Sequence, residues 1–271
     1  MKISVILSTY NAEAWLEKVI WGFSAQIEKD FEIIIADDGS GPKTKELLDA
    51  LRPQIQMPLI HVWQPDNGFQ KTQILNKAIL ASAGEYLIFT DGDCIPRNDF
   101  VTTHLKYRKE GYFLSGGYFM LPMDISQAIT KQDIIEQNCF KLDWLLARGL
   151  KKNFKNNKVA AKGFWSKILN KVTPTKPTWN GHNASGWKKD LLEVNGFNQE
   201  MQYGGEDREL GERLINKGVK SKQIRYSAIC VHLDHSRGYV SEAAWKKNFE
   251  IREHTRKNKV VRTATGLDLN L

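Results

Sequence analysis

Short apolar runs alternate with stretches of helical periodicity over the first hundred residues of the chain. Four runs have the length and composition of buried strands, at 3–7, 32–36, 59–63 and 86–90. Between them, apolar residues recur three and four positions apart, at 15–23, 47–51 and 74–79. This βαβαβαβ order predicts an α/β fold, with a Rossmann-like, mainly parallel sheet flanked by helices in a single domain.

The pattern is less regular after residue 110. It predicts a strand at 112–120, a helix at 126–150, a loop at 179–186, a helix from Gly205 to about Lys217, a strand at 224–233 and a closing helix from Ser241 to about Lys257.

Polar clusters follow three of the predicted strands at the point where each strand ends. They are Ser8 to Asn11 after the first strand, Asp37 to Ser40 after the second and Asp91 to Asp93 after the fourth. Because open α/β sheets bind ligands at the carboxyl ends of their strands, we expect these clusters to share one binding site.

The basic residues are concentrated in one segment. Between Trp144 and Lys189 there are ten Lys, one Arg and no Asp or Glu, so a net charge of +8 for the whole chain leaves −3 for the rest. No stretch approaches the roughly 18 to 20 apolar residues that span a bilayer, and the N-terminal run is too short for a signal peptide. Three cysteines, Cys94, Cys139 and Cys230, form no CxxC pair. We therefore expect a chain that stays in the reducing cytoplasm.

Asp91 and Asp93 are separated by Gly92 at the end of a predicted strand. Two hard oxygen ligands at this spacing can hold Mg²⁺ or Mn²⁺, which takes its remaining ligands from water and a diphosphate. Asp-Gly is also a common turn dipeptide, so a simple turn is the alternative. An EF-hand is excluded because Ile95 and Pro96 stand where that loop needs an oxygen ligand and a glycine.

Asp37 and Asp38 follow the second strand. A carboxylate at this place can accept the imide hydrogen of uracil, while the alternative is a strand-to-helix turn capped by Asp38 or Ser40.

A second acidic motif begins at Gly204-Gly205-Glu206-Asp207, where a helix is predicted to start. A helix N-terminus keeps an acid ionised, which suits a general base, although acidic first turns are also common without any catalytic role. About 25 residues further on, His232 could complete the coordination of the metal, or could simply be packed or solvated.

Together these motifs resemble glycosyltransferase family 2, with a GT-A type fold. STYN, ADDGS, DNGF before a helix with Asn76, and GEYLIFTDGDCIP are similar to the nucleotide-binding half of that family. WNGHNASGW, NGFN, YGGEDRELGERL and VHLDH resemble the C-terminal half of enzymes of the galactosyltransferase and chondroitin-polymerase type. The resemblance covers nearly the whole chain except residues 111–177.

The resemblance implies a role for each matching position. Ser8, Tyr10 and Asp38 would contact uracil and Asp37 would support that turn. Asp91, with Gly92, and Asp93 would bind ribose and metal, and His232 matches the third metal ligand better than His235 does. Asp207 would be the catalytic base, Gly205 and Glu206 would shape the sugar pocket, and Gly181 and Asn183 would line the donor sugar.

The same resemblance implies an inverting transferase that moves a hexose or N-acetylhexosamine from a UDP-sugar to a glycan or lipid-linked acceptor, with Mn²⁺ or Mg²⁺ as cofactor. Residues 1–110 would form the nucleotide-binding half and 111–240 the acceptor and sugar-binding half, with a basic helical insertion at about 144–178. Residues 241–271 would form a C-terminal helix and tail.

The chain departs from this family at one helix. Many relatives carry Arg where this chain has Gln70 and Leu75. Lys71 is therefore the residue expected to supply a cation to the diphosphate.

The basic segment carries apolar residues at helical spacing. Leu146, Leu150 and Phe154 recur every four residues, and Trp165, Ile168, Leu169 and Val172 follow the i, i+3, i+4, i+7 pattern. One hypothesis is that 151–171 docks peripherally on the anionic inner face of a membrane; the alternative is a helix that packs its apolar side on the catalytic core. No nucleic acid is expected as a partner, because the segment is almost free of Arg and no nucleic-acid motif accompanies it.

Three other classes of protein fit these motifs less well. A sugar nucleotidyltransferase would need a Gly-rich, basic phosphate loop after the first strand, and a Rossmann dehydrogenase would need GxGxxG there; STYNAEAW contains neither. A non-catalytic carbohydrate-binding protein would have no need of Asp207.

Overall fold

The computed structural model describes residues 1–161, 163–236 and 241–267. Parts of three predicted regions lie outside the described residues: Lys162 in the basic segment, 237–240 before the closing helix and 268–271 in the tail.

The strands form one large and one small sheet. The large sheet has seven strands in the order β3-β2-β1-β4-β8-β6-β9, and the small sheet has the order β5-β10-β7. Their bounds are β1 Ile3–Thr9, β2 Glu32–Asp37, β3 Leu59–Trp63, β4 Tyr86–Asp91, β5 Cys94–Pro96, β6 Tyr112–Ser115, β7 Gly117–Met120, β8 Ala184–Trp187, β9 Lys220–Gln223 and β10 Ile229–His232.

Helices cover both faces of the large sheet. They are α1 Glu13–Ser24, α2 Pro42–Leu51, α3 Lys71–Ala81, α4 Phe100–Tyr107, α5 Met123–Ala128, α6 Lys131–Ile135, α7 Leu142–Ala147, α8 Asn157–Ala160, α9 Gly163–Val172, α10 Lys188–Glu193, α11 Glu206–Asn216 and α12 Glu242–Lys257. Single turns of 3-10 helix lie at Arg52–Gln54, Asn138–Phe140 and Phe154–Asn156.

The four N-terminal strands of the large sheet are parallel, as predicted. β8 then pairs antiparallel with both β4 and β6, and β6 pairs parallel with β9. The prediction of an α/β fold with a mainly parallel sheet is therefore confirmed. Strands from both sides of residue 110 share this sheet.

Successive residues of the central strands point to opposite faces of the sheet. Val5, Leu7, Ile33 and Ile35 enter the core on one face, whereas Ile6, Ile34, Ala36 and Phe89 enter the core on the other. Because both faces are buried, these strands are continuous apolar runs, and this is why the first half of the chain could be predicted from its sequence.

The predicted strand at 112–120 is wrong as a single strand. It divides at Gly116 into β6 of the large sheet and β7 of the small sheet. A Cβ at Gly116 would overlap the side-chain amide of Asn183, and the Gly116 N–H donates to the Asn183 carbonyl. The chain can therefore change sheets only where glycine lets the two backbones approach.

The predicted helix at 126–150 is also wrong as a single helix. It is divided among α5, α6, a 3-10 turn and α7. Thr130 forms a capping box with Asp133, which starts α6 anew, and Gln137 lies in the left-handed region with φ 58°. These local hydrogen bonds and the left-handed residue interrupt what the apolar spacing alone suggests is continuous.

Two further assignments differ from the structure. The predicted loop at 179–186 ends in β8, which pairs with β4. The predicted strand at 224–233 begins with a turn, in which the Ser227 N–H donates to the Ile224 carbonyl, and only 229–232 form β10. The helices predicted from Gly205 and from Ser241 are confirmed as α11 and α12.

The basic segment is an interrupted helical region. Leu146 lies in α7, Gly149 breaks the helix with φ 90°, and Phe154 lies in a separate 3-10 turn, so the first predicted apolar series does not share one helix. The second series lies on α9, as predicted. Within the described ranges, the structure contains no helix with both the length and the apolar character needed to span a bilayer.

Candidate active site

A cavity of about 890 Å³ opens at the carboxyl edge of the parallel strands. Its size is in the range of sites for small molecules and cofactors. The lining residues come from distant parts of the sequence: Ser8 to Trp15, Asp38, Phe69, Lys71, Asp91 to Asp93, Tyr118, Gly181, His182, Tyr203, Glu206, Asp207, His232, His235 and Ser236.

The register of the sheet brings the first polar clusters together. Ser8 of β1 stands opposite Asp91 of β4, and its hydroxyl donates to the Asp91 carboxylate at 2.7 Å. The Gly92 N–H donates to the Ser8 carbonyl, and a Cβ at Gly92 would lie 2.9 Å from that oxygen. Glycine at this position therefore allows the turn after β4 to close against β1.

Asp37 and Asp38 have different surroundings. Asp37 is fully buried, where it accepts from the Ser40 N–H and pairs with His61 at 2.8 Å. It thus holds the turn, as expected, and does not line the cavity. Asp38 lines the cavity and accepts from Gln64 at 2.7 Å and from the Gln70 N–H at 2.9 Å. Burial raises the pKa of the Asp38 carboxyl.

Tyr10 lies at the outer rim of the same end of the cavity. Its hydroxyl donates to Asp66 at 2.8 Å, and half of its surface is exposed. This contact ties the turn after β1 to the DNGF loop before α3. An aromatic ring at this place can stack on a nucleobase that hydrogen-bonds with Asp38.

Lys71, the first residue of α3, reaches into the middle of the cavity. Its ammonium donates to Asp91 at 2.6 Å and lies 3.4 Å from the position that a Cβ on Gly181 would take. Burial alone would lower the pKa of Lys71, but the carboxylates of Asp91, Glu206 and Asp207 hold it well above its ordinary value. The cavity therefore carries a fixed cation among its acids.

Asp93 pairs with two histidines at the end of β10 and just after it, rather than with lysine. Its carboxylate oxygens lie 3.6 Å from His232 Nε2 and 2.9 Å from His235 Nε2. The antiparallel register of β5 and β10 sets His232 opposite Cys94, next to Asp93. Strand pairing thus places His232 beside the acidic motif despite the long separation in sequence.

The chemistry of this cluster fits a divalent cation. Asp93, Cys94 and His232 offer ligand atoms that lie within 4.8 Å of one another. Burial raises the pKa of the Cys94 thiol well above its ordinary value, which disfavours the thiolate that would bind a metal. A carboxylate and imidazoles remain, which suits Mn²⁺ better than Mg²⁺, because Mg²⁺ prefers oxygen ligands.

The other acidic motif forms the first turn of α11. Gly204 and Gly205 have φ 117° and 92°, a left-handed conformation that glycine adopts without strain. Glu206 accepts from the Gly204 N–H, and Asp207 accepts from the Gly181 N–H at 2.9 Å. Burial raises the pKa of Asp207, and burial together with the charge of Asp207 raises the pKa of Glu206 to about 7.

Gly181 connects the two acidic clusters. Its N–H binds Asp207, and a Cβ on it would lie 3.8 Å from an Asp91 oxygen. Asp91, Asp93, Asp207 and His232 therefore line one cavity, as the sequence predicted, although three separate stretches supply them.

Asn183 does not line this cavity, contrary to expectation. It is fully buried, and its side-chain amide donates to the carbonyls of Gly117 and Ala228. Its oxygen lies 2.9 Å from Nε2 of His104. These contacts join the large sheet to the small sheet, so Asn183 stabilises the floor beneath the site. Gly205 is likewise outside the lining and serves as the N-cap of α11.

The structure adds residues that sequence reasoning did not select. His182 lines the cavity, and burial lowers its pKa to about 4, so its imidazole is neutral at pH 7. Its ring packs 4.4 Å from that of Tyr118, which also packs on His232. The WNGHNASGW motif contains His182, and its polar character was the available signal; nothing local distinguished Tyr118.

Comparison with known proteins covers both halves of the chain. The model of glycosyl transferase family 2 matches residues 4–172, and the model of the N-terminal domain of galactosyltransferase matches residues 173–236.

Three curated relatives match most of the chain. An uncharacterised glycosyltransferase of Bacillus subtilis, YfnE, is 25% identical over 87% of this chain and 65% of its own length. Chondroitin synthase of Escherichia coli is 25% identical over 82% of this chain and 33% of its own length. A GalNAc(5)-diNAcBac-PP-undecaprenol beta-1,3-glucosyltransferase of Campylobacter jejuni is 28% identical over 76% of this chain and 57% of its own length. The chain thus spans from a third to two thirds of the length of these relatives.

Solved structures share the fold at low sequence identity. TarS of Staphylococcus aureus in complex with UDP-GlcNAc has a TM-score of 0.64 at 15% identity, covering 98% of this chain and 68% of that one. The mannosyltransferase PcManGT of Pyrobaculum calidifontis, in complex with GDP-Man and Mn²⁺, has a TM-score of 0.59 at 18% identity, covering 97% of this chain and 65% of that one. The predicted GT-A type fold is confirmed by these neighbours.

Proposed function

The chain belongs to glycosyltransferase family 2, and on that premise we propose that it transfers a hexose or N-acetylhexosamine from a UDP-sugar to a glycan or lipid-linked acceptor. The observation that carries this proposal is the meeting of Asp38, Asp91, Asp93 and Asp207 on one cavity. Two bacterial relatives, named for glucosyl transfer to GalNAc(5)-diNAcBac-PP-undecaprenol and for N-acetylglucosaminyl transfer to poly(ribitol-phosphate), support a role in polysaccharide or lipopolysaccharide synthesis.

The nucleotide would bind at the end of the cavity formed by Tyr10 and Asp38. Gln64 and the Gln70 N–H hold the Asp38 carboxylate in place, and a carboxylate accepts the N3–H of uracil. The same group could accept from guanine, and PcManGT is described with GDP-Man. A comparison of UDP with GDP therefore tests this part of the proposal directly.

The transfer itself would be a single displacement with inversion at the anomeric carbon. Asp207 accepts the proton of the acceptor hydroxyl as the acceptor oxygen bonds to that carbon, and the bond from that carbon to the phosphate oxygen breaks with its electron pair leaving on UDP. The Gly181 N–H fixes the Asp207 carboxylate, and the raised pKa of Asp207 makes it a stronger base.

Mn²⁺, or in its place Mg²⁺, would be held by Asp93 and His232, with Asp91 and His235 adjacent. When bound, such an ion supplies charge neutralisation for the departing diphosphate. Lys71 would supply a second positive charge to the same group, because its ammonium already lies among the acids. Ser8 would keep Asp91 oriented towards the ribose.

Release of UDP from a panel of nucleotide sugars, with and without saccharide acceptors, tests this proposal. We expect Asp207→Asn to lower the turnover number by about a thousandfold while UDP still binds, because the general base alone is lost. Asp49→Asn, on the exposed face of α2, is the matched control and should leave the rate unchanged. Unchanged release in Asp207→Asn would remove the base from the scheme.

The same assay separates the alternatives. A sugar nucleotidyltransferase would form pyrophosphate or consume it, and a non-catalytic carbohydrate-binding protein would release no UDP from any donor.

We further propose that this enzyme works in the cytoplasm, bound peripherally to the anionic inner face of a membrane. The support comes from the orientation of α9. Its protein-facing residues are polar, since Ser166 is buried and Asn170 bonds to Ser227 and to the Tyr226 N–H. Of its apolar residues, Phe164, Trp165 and Val172 are largely exposed, whereas Ile168 and Leu169 are half-buried.

The outward face forms a basic apolar surface at 151–172. Phe154, Phe164, Trp165 and Val172 are 78%, 71%, 68% and 64% exposed. Among the described residues of this surface, exposed lysines flank them at Lys151, Lys152, Lys155, Lys167 and Lys171. Aromatic side chains surrounded by lysines match the apolar and anionic layers of a membrane interface, and each cation near such a surface contributes about 1 kcal/mol.

Sedimentation with vesicles tests the membrane contact. We expect binding to phosphatidylglycerol vesicles that weakens as NaCl rises, and little binding to phosphatidylcholine alone, because salt screens exposed charges. The double variant Phe164→Ala, Trp165→Ala should weaken vesicle binding about tenfold or more, because it loses two rings that would be buried in the membrane interface. Trp63→Ala, another half-exposed tryptophan, is the control. Vesicle binding that does not change with NaCl concentration would contradict the proposal, and so would self-association of the protein through this surface in place of vesicle binding.

A further inference from the structure

We propose that Trp245 and Phe249 on α12 bind a second sugar ring of an oligosaccharide acceptor. This inference rests on the proposed function, because it extends the acceptor site of that reaction outward from Asp207. The occupant is therefore a pyranose unit one or more residues from the hydroxyl that receives the transferred sugar.

The two side chains form an exposed aromatic face. Trp245 is 52% exposed and Phe249 is 58% exposed, and they stand one turn apart on α12. Residues four apart in a helix lie on the same face. An exposed pair of large apolar side chains at one place offers a surface on which a ligand can pack.

This face continues the aromatic lining of the cavity. The rings of Phe69 and Tyr203, which both line the cavity, meet edge to face at 5.8 Å. The ring of Tyr203 in turn meets that of Trp245 at 6.4 Å. A row of three rings thus leads from the cavity to the exposed surface of α12.

Trp245 is built into the loop that carries the proposed base. A Cβ on Gly204 would lie 2.9 to 3.2 Å from the indole, so the ring rests directly on the backbone of Gly204. One turn further along α12, the Asn248 side chain donates to the carbonyls of Gln202 and Gly204 at 2.8 and 3.1 Å. Because α12 is fixed to this loop, the indole has a fixed position relative to Asp207.

The chemistry of this face suits a sugar. The C–H groups of a pyranose ring form an apolar face that packs on an aromatic ring, while its hydroxyls remain in water or bond to nearby polar groups. An acceptor whose first sugar presents its hydroxyl to Asp207 extends along the row of rings. The inference therefore specifies an acceptor of at least two sugars.

Fluorine NMR of the protein labelled with 5-fluorotryptophan tests this binding directly. The Trp245 signal is assigned by its loss in Trp245→Phe, and the probes are the methyl glycosides of glucose, galactose and their N-acetylated amines, with cellobiose, lactose and chitobiose. We expect at least one disaccharide to move the Trp245 signal, together with that of Trp15 in the cavity lining, while Trp63 stays in place. A Trp245 signal that no disaccharide moves would overturn the inference.

Kinetics provide a second, independent measurement. For the disaccharide that serves as acceptor, Trp245→Ala should raise KM about five- to tenfold relative to KM for the matching monosaccharide, the loss expected for one stacked ring. Trp63→Ala, equally exposed, should leave this ratio unchanged. An unchanged ratio in Trp245→Ala would contradict the inference. Absence of UDP release by the parent protein with any donor would instead count against the proposed function, and the NMR shift would still decide the saccharide site.

Discussion

Nζ of Lys71 lies 2.6 Å from Oδ1 of Asp91, in the middle of the cavity and beside the backbone of Gly181. Positions 70 and 75 are Gln and Leu, not Arg. Among the described residues, Lys71 is therefore the cation that α3 contributes to the cavity lining. A diphosphate bound in the cavity could therefore form an ion pair with this ammonium.

Replacing Lys71 should therefore weaken donor binding. Lys71→Met removes a charged hydrogen bond, which contributes about 1.5 to 3 kcal/mol and corresponds to roughly a ten- to hundredfold rise in KM for the donor. Lys71→Arg should recover part of the affinity. Lys77→Met, exposed on the same helix, is the control, and initial rates over a donor series provide the measurement. Equal KM values for Lys71→Met and Lys77→Met would exclude a phosphate contact.

Asp38 should determine which base is bound. Uracil offers an N–H at the position where cytosine has an acceptor, so a carboxylate in contact with the base would select uracil, whereas the amide of Asp38→Asn can serve either base. We expect the ratio of CDP to UDP dissociation constants, measured calorimetrically, to fall about tenfold in Asp38→Asn. Asp37→Asn should lower thermal stability instead, because Asp37 is buried against Ser40 and His61. A ratio that does not change would refute the assignment of Asp38.

Glu206 and Asp207 should set the acid limb of the pH profile. Burial raises the pKa of both carboxyls, that of Glu206 to about 7, so the pair takes up a proton as pH falls through this region. The base must be ionised, and kcat/KM should therefore fall as pH falls through the pKa of Asp207, which burial raises above the ordinary value of an Asp carboxyl. In Glu206→Gln one negative charge is lost, the proton affinity of Asp207 drops, and the limb should move to lower pH. A limb that stays in place, or moves upward, would contradict the pairing.

Asn183 should affect stability rather than sugar binding. Asn183→Ala removes the amide that donates to the buried carbonyls of Gly117 and Ala228 and pairs with a nitrogen of His104, at a cost of about 2 to 4 kcal/mol in the free energy of unfolding. Urea denaturation measures this change. Asn157→Ala, at an exposed position in α8, is the control. A donor KM that rises with no loss of stability would instead support a sugar contact.

The parallel half of the sheet could be predicted because its determinants are local. Each strand there is a continuous apolar run followed by a helix with its own apolar face, and the polar clusters come where those strands end. The convergence of Ser8 with Asp91 then follows from the sheet register alone.

The second half could not be predicted in the same way, because its determinants are distant in sequence. The break of the predicted strand at Gly116 depends on contact with Asn183, and β8 becomes a strand only by pairing with β4. The position of Asn183 outside the cavity lining could not be predicted for the same reason, since its partners Gly117 and Ala228 come from two other stretches. Motif similarity identified the position but not the direction of the side chain.

The central claim is that one cavity holds a nucleotide and a divalent cation together at residues from distant stretches of the chain. The most direct test is the dissociation constant of UDP, measured with and without Mn²⁺, for the parent protein and for Asp93→Asn, His232→Asn and Asp207→Asn. We predict that Mn²⁺ tightens UDP binding about tenfold or more in the parent and in Asp207→Asn, and that this gain is lost in Asp93→Asn and His232→Asn. UDP binding that is independent of Mn²⁺ in the parent, or that keeps its full Mn²⁺ gain without Asp93 and His232, would contradict the account.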